Sequence, residues 1–293
     1  MRGPLDRAQT RISFIPRISF IPRISFIPRI SFIPRISRIS RISLIPLFRV
    51  FLLFDREHGF MSTTLSIIIP CFNEEETILE LIRRVEAADI GPVEKQLVIV
   101  DDGSTDRTPE LLRAHARRHT LLLSDRNLGK GSAIRRGLEA VTGDIVIIQD
   151  ADLEYNPDNY ASLIAPILEG RTPVVYGSRE RNAQNRLHSG MTYYAGGKFL
   201  SAVTNLLYRS DITDEPTCYK VFDAALLKSL PLRCTGFEFC PEVTARVLRR
   251  GITIEEVPID YFPRKKGEGK KIRWRDGVEA VWTLIRYRFA RKV

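Results

Sequence analysis

An α/β fold built on a mostly parallel sheet flanked by helices is predicted by three observations. Short apolar, β-branched runs at 65–70, 96–100 and 145–148 have no polar break, the pattern of strands buried on both faces. Stretches of helical character separate them, so strand and helix alternate four times in the first half of the chain. Each run also ends abruptly in polar residues with turn chemistry, and in open α/β sheets that carboxyl edge is where ligands bind.

LSIIIP (65–70) is the first strand, and Asn73 with Glu74, Glu75 and Glu76 opens a helix to about Ala88, its acids in the first turn where the helix dipole favours them. QLVIV (96–100) is the second strand. It ends in Asp101-Asp102-Gly103-Ser104-Thr105-Asp106, where Gly103 permits a tight turn and Ser104 or Asp106 can cap the next helix. Thr120 to Leu123 is a third strand, and NLGKG (127–131) leads into a helix over 132–141. IVII (145–148) is the fourth strand, and Asp150 and Asp152 stand just past its end. Alternate carboxylates leaving a strand can turn toward one hard cation, Mg2+ or Mn2+, that neutralises a diphosphate. The competing reading is a helix N-cap ahead of Asn156-Pro157. No GxGxxG follows the first strand and no GxxxxGK[ST] occurs, which excludes a dinucleotide fingerprint and a P-loop.

The first sixty residues are of another kind. RISFIP occurs four times in tandem from Arg11, followed by three RIS triplets, with prolines that forbid a helix. The segment is expected to be a disordered extension from an upstream start site, with Met61 a natural beginning. A membrane-adhering basic tail is a second reading. A targeting peptide is a third, but LIPLFRVFLLF carries an Arg and is too short for a span of about 20 residues. Residues 1–60 hold 11 Arg and 3 acids, so of the net charge of +10 only +2 belongs to 61–293. The high pI therefore does not indicate nucleic acid. Cys71, Cys218, Cys234 and Cys240 form no CxxC pair and read as reduced cytosolic thiols.

Seven motifs in order carry a resemblance: SIIIPCFNEEETI from Ser66, VIVDDGSTDRT from Val98, NLGKGSAIRRGL from Asn127, IIQDADLEYNP from Ile147, VVYGSR from Val174, TDEPTCYKVF from Thr213 and EVPIDYFPRKKGEGKK from Glu256. The sequence resembles inverting glycosyltransferases of family 2 with the GT-A fold, most of all the dolichyl- and polyprenyl-phosphate mannosyltransferases and glucosyltransferases. The likeness implies one domain over 61–293, with a nucleotide-sugar half (about 65–180) and an acceptor and lid half (about 181–293). It implies that Pro70, in a turn after the first strand, Phe72 and Glu74 line the base pocket. Asp101 or Asp102 would accept hydrogen bonds from base or ribose, helix capping needing only one of the two. Lys130 and Ala151 join the same donor site. Asp150 and Asp152 would hold Mg2+ or Mn2+ on the donor diphosphate, with Glu154 a third ligand or else an exposed acid in a helical turn. Arg179 would contact donor phosphate, and Arg264 and Lys270 would close a cationic lid over both substrates, Gly269 replacing the usual Ser.

A lipid phosphate acceptor is already anionic and needs no general base. TDEPTCYKVF departs from the lipid-phosphate pattern, so Asp214 or Glu215 can instead serve as base for a hydroxyl acceptor, as in cell-envelope polysaccharide or glycolipid synthesis. A non-catalytic membrane-adhering protein is the third reading. The implied activity is transfer of mannose or glucose from GDP-mannose or UDP-glucose to a polyprenyl phosphate. The residues 193–208 form either an interfacial or an ordinary core helix, and Trp274 to Arg291 mixes Trp with Arg as an anionic membrane surface favours. No run of about 20 apolar residues exists, so contact at the cytosolic membrane face is expected to be peripheral.

Overall fold

The computed structural model describes residues 62–187, 191–264 and 274–290. They lie within the second of two units of the chain, Arg49–Val293. Among them the strands are β1 (Thr64–Cys71), β2 (Glu94–Asp101), β3 (Thr120–Leu123), β4 (Ile145–Ile148), β5 (Val174–Ser178), β6 (Lys220–Asp223) and β7 (Glu255–Pro258). They form one sheet in the order β3-β2-β1-β4-β6-β5-β7. The helices are α1 (Ile78–Ala87), α2 (Thr108–His115), α3 (Lys130–Glu139), α4 (Tyr160–Leu168), α5 (Met191–Tyr208), α6 (Ala224–Ser229), α7 (Phe239–Arg249) and α8 (Trp274–Phe289).

Only β6 runs against its neighbours, pairing antiparallel with β4 and β5. The carboxyl ends of β1, β2, β4, β5 and β7 and the start of β6 therefore share one edge. From β1 the chain adds β2 and β3 on one side and returns to place β4 on the other, a reversal of winding that opens a crevice between β1 and β4.

The strands form as their composition dictates. Ile67, Ile68, Ile69, Val98, Ile99, Val146 and Ile147 are wholly buried, each contributing about 1.5–3 kcal/mol by leaving water. α1 buries Ile78, Leu81, Ile82 and Val85, one stripe at helical spacing. Gly137 lets α3 lie on the sheet, for a Cβ there would stand 2.7 Å from the Ile68 side chain.

Two sequence expectations shift here. β1 continues through Cys71, so Pro70 is a strand residue opposite Val100, not a turn. It lies past Ile68, the last residue paired with β4, where a missing N–H costs no bond on that side. The helix expected from Asn73 begins instead at Ile78. Asn73 sits at φ +50° and is drawn to the loop after β2: its N–H donates to Ser104 Oγ (2.8 Å) and its Oδ1 accepts from Thr105 N (2.8 Å). Asp106 stands one residue ahead of the N-cap position of α2, Arg107, and its carboxylate accepts from Thr108 N at 2.9 Å.

Candidate active site

The loop after β4 is set from beneath by Gln149, which is wholly buried. Its Oε1 accepts from the hydroxyls of Tyr160 (2.6 Å) and Tyr219 (2.7 Å), and its Nε2 donates to the Asp150 carbonyl at 2.8 Å. Leu153 then takes a left-handed conformation, φ +61°, a strained setting for a γ-branched residue that recurs at functional sites. The result is that Asp150 and Asp152 leave the strand together. Burial, then the like charges of Asp150 and Glu154, push the Asp152 carboxyl up to about 7.

Asp150 meets Lys130 Nζ at 2.5 Å. Burial disfavours the Lys130 cation, but Asp150 and neighbouring thiols outweigh it and hold the ammonium charged. Lys130 owes its position to Asp102, whose carboxylate accepts from Leu128 N (3.0 Å) and Gly129 N (2.7 Å). Burial raises the Asp102 carboxyl despite these donors. Gly129, at φ +97°, passes so close to the loop before α7 that a Cβ would lie 2.5 Å from the Thr235 carbonyl. Asp101 is likewise engaged, its two oxygens accepting from the Ser104 hydroxyl and N–H. Both aspartates thus hold loops, and neither is left over as the capping argument suggested.

Glu154 is neither exposed nor joined to the other two carboxylates. Its oxygens accept from Tyr261 Oη (2.7 Å) and Arg264 N (2.9 Å). Among the described residues no three His, Cys, Asp or Glu side chains are placed to hold a metal together. The expected three-carboxylate set is not assembled, and Glu154 instead fixes the segment after β7 against the loop after β4. From there Arg264 reaches across the edge, donating to the Asp152 carbonyl (3.0 Å) and to Glu74 Oε2 (2.6 Å). Burial opposes its charge, and Glu74 more than restores it.

Arg179, after β5, forms a forked pair with Asp214, Nε to Oδ2 at 2.8 Å and Nη2 to Oδ1 at 2.7 Å. Its guanidinium lies 5.1 Å from the Tyr261 ring. Burial alone would raise Asp214, but Arg179 outweighs it and holds the carboxyl below the ordinary range. Glu256 orders this loop by accepting from Thr213 N (2.8 Å) and Asp214 N (3.0 Å). Glu215 is wholly buried, which raises its carboxyl; Thr244 donates to one oxygen.

Along one edge Lys130 meets Asp150, Arg264 joins Asp152, Glu74 and Glu154, and Tyr261 stands between Glu154 and Arg179. Phe72 is half-buried beside Glu74, and Ala151 is buried between the two aspartates. Lys270 and the glycines of its loop lie outside the described residues. Sequence reasoning missed Gln149, Tyr160, Tyr219, Tyr261 and Glu256; a polar Gln closing a run of four aliphatics was the visible signal for the first. Two carboxylates beside three cations suit an anionic ligand that brings its own metal-binding oxygens.

Several known proteins resemble this chain. One relative is the low-salt glycan biosynthesis hexosyltransferase Agl6 of Haloferax volcanii, 28% identical over 78% of this chain and 53% of its own length. Another is the undecaprenyl-phosphate 4-deoxy-4-formamido-L-arabinose transferase of Edwardsiella ictaluri, 30% identical over 70% of this chain and 62% of its own. The dodecaprenyl-phosphate galacturonate synthase of Rhizobium johnstonii is 26% identical over 71% and 62%. The chain thus spans between 53% and 62% of these relatives. In fold it matches glucosyl-3-phosphoglycerate synthase of Mycobacterium tuberculosis, crystallised with Mn2+, UDP and phosphoglyceric acid, at TM-score 0.61 and 22% identity over 78% of this chain and 79% of that one. The architecture is GT-A. Residues 66–230 match the family profile Glycosyl transferase family 2, and since this stretch holds β1 to β6 with every motif from SIIIP to TDEPTCYKVF, the chain belongs to that family.

Proposed function

We propose that this chain transfers a hexose, mannose or glucose, from a GDP- or UDP-sugar to a polyprenyl phosphate with inversion, at the cytosolic membrane face. The observation that carries the acceptor class is the state of the two candidate bases: both oxygens of Asp214 are taken by Arg179, and Glu215 is sealed from solvent. A hydroxyl nucleophile would need one of them, whereas a phosphate oxygen needs neither. The names of the relatives in Edwardsiella and Rhizobium support the same class.

Asp150 and Asp152 fit a divalent ion, because the burial and the like charges that push Asp152 up to about 7 are what such an ion offsets. Mg2+ or Mn2+ held by these two would stabilise charge on the departing diphosphate. Lys130, already charged beside Asp150, is placed for the same oxygens. Asp102 and Asp101 build the loops around the nucleoside, with Phe72 and Glu74 on its other side. Arg179 offers a planar fork to phosphate, held ready by Asp214 and Tyr261. Arg264 crosses from the segment after β7 to Glu74 and brings a second guanidinium beside Asp152.

The test incubates the protein with Mn2+ and radiolabelled GDP-mannose or UDP-glucose, offering polyprenyl phosphate and, separately, sugar hydroxyl acceptors. Labelled lipid is expected. Product on a hydroxyl acceptor with none on lipid would overturn the acceptor class.

A further inference from the structure

Nine large hydrophobic side chains are exposed among the described residues, and seven of them lie on α5 and α8. On α8 they are Trp274, Val278, Trp282, Ile285 and Phe289. At about 100° per residue these five fall within an arc of about 80°. The helix already packs a different face, Ala280, Thr283, Leu284 and Tyr287, into the protein. Its outward stripe is thus a second apolar face, not the edge of the first. α5 repeats the pattern with Ala195, Phe199, Ala202 and Leu206, all exposed and within an arc of about 60°. The helices are fastened together: Tyr208 Oη donates to the Leu284 carbonyl (2.6 Å) and Arg288 Nε to the Leu207 carbonyl (2.7 Å).

Charge says what covers this surface. Arg275 and Arg286 flank the α8 stripe on one side and Arg288 on the other, all exposed. Residues 271–293 carry seven Arg and Lys against two acids. Trp and Phe between guanidinium groups match the boundary of an anionic bilayer, where indole sits at headgroup depth and each basic residue contributes about 1 kcal/mol. The surface also adjoins the candidate site. The inner side of α5 holds the loop bearing Asp214, the Glu215 N–H donating to Ser201 Oγ at 2.9 Å.

We propose that the outward faces of α5 and α8 form one docking surface that lies in an anionic lipid bilayer and delivers a membrane-held acceptor to the edge beside Arg179. The proposal rests on the polyprenyl phosphate reading only for what the bilayer delivers.

Both tryptophans of the chain stand on the α8 stripe, so intrinsic fluorescence of the full chain reports this surface and not residues 1–61. Vesicles of phosphatidylcholine with phosphatidylglycerol, free of polyprenyl phosphate, should shift Trp emission to the blue, and brominated acyl chains should quench it. Added salt or pure phosphatidylcholine should diminish both effects. Val278→Asp and Leu206→Asp, at exposed positions that leave both reporters in place, should each weaken partition by roughly tenfold or more. Unchanged emission on vesicles that sediment the chain would overturn the proposal. So would a blue shift that follows protein concentration without lipid and coincides with a dimer mass. Lipid-linked product in detergent without vesicle docking would sink the surface alone, and docking without such product would sink the acceptor class alone.

Discussion

Asp152→Asn should stabilise the metal-free protein at neutral pH, because burial and then neighbouring like charges disfavour the ionised Asp152 carboxylate. The Asp152 carboxyl stands at about 7 against an ordinary 3.8, and burial with the charges of Asp150 and Glu154 is the cause. That rise disfavours the ionised folded state by about 4 kcal/mol, of which solvent screening at a half-buried position leaves about 1–3. The folded-state value lies above the unfolded one, so the cost is absent below about pH 4 and grows to its full size by about pH 7. Asn keeps the oxygen that accepts from Glu154 N at 3.1 Å. In chelator, the variant should melt some 2–8 °C above the native protein at about pH 8 and within a degree or two of it at about pH 4. With Mn2+ and a nucleoside diphosphate the order should reverse, since only the native chain gains from the ion. A variant less stable at pH 8, or a difference flat with pH, would refute the reasoning.

Arg264→Ala removes the tie to Glu74 and to the Asp152 carbonyl; donor KM should rise roughly 10- to 100-fold with a smaller fall in kcat, read from initial rates. Gly129→Ala puts a Cβ 2.5 Å from the Thr235 carbonyl at φ +97°, so urea unfolding should show a loss of about 1–3 kcal/mol and the displaced Lys130 should lower activity with it. Asp214→Asn breaks a buried forked pair at a cost of about 3–5 kcal/mol, yet its pH–rate profile should keep its shape; loss of the acidic limb would mark Asp214 as a base after all.

β4 was legible to the residue, Ile145–Ile148, because a run of four aliphatics bounded by Asp144 and Gln149 has one way to be buried. The order of strand and helix placed Asp101, Asp102, Asp150, Asp152 and Arg179 at one edge before any coordinates, since parallel strands point their carboxyl ends the same way. What could not be read was the partnering of those groups. Arg264 meets Glu74 across 190 residues and Asp214 meets Arg179 across 35, distances over which periodicity carries no information. Asp101 and Asp102 looked like one cap and one spare, but each had a loop to hold. Glu154, a third ligand only by the family likeness, accepts instead from Tyr261, which arrives from β7. α5 was ambiguous between core and interface for a physical reason: it has both faces.

Crystals grown with Mn2+ and GDP or UDP, measured at the manganese absorption edge, test the central claim most directly. An anomalous peak within bonding distance of Asp150 and Asp152, with diphosphate oxygens completing its shell and the nucleoside lying toward Phe72 and Asp102, is the expected result. Manganese bound away from that pair, or a nucleotide seated outside the crevice between β1 and β4, would contradict it.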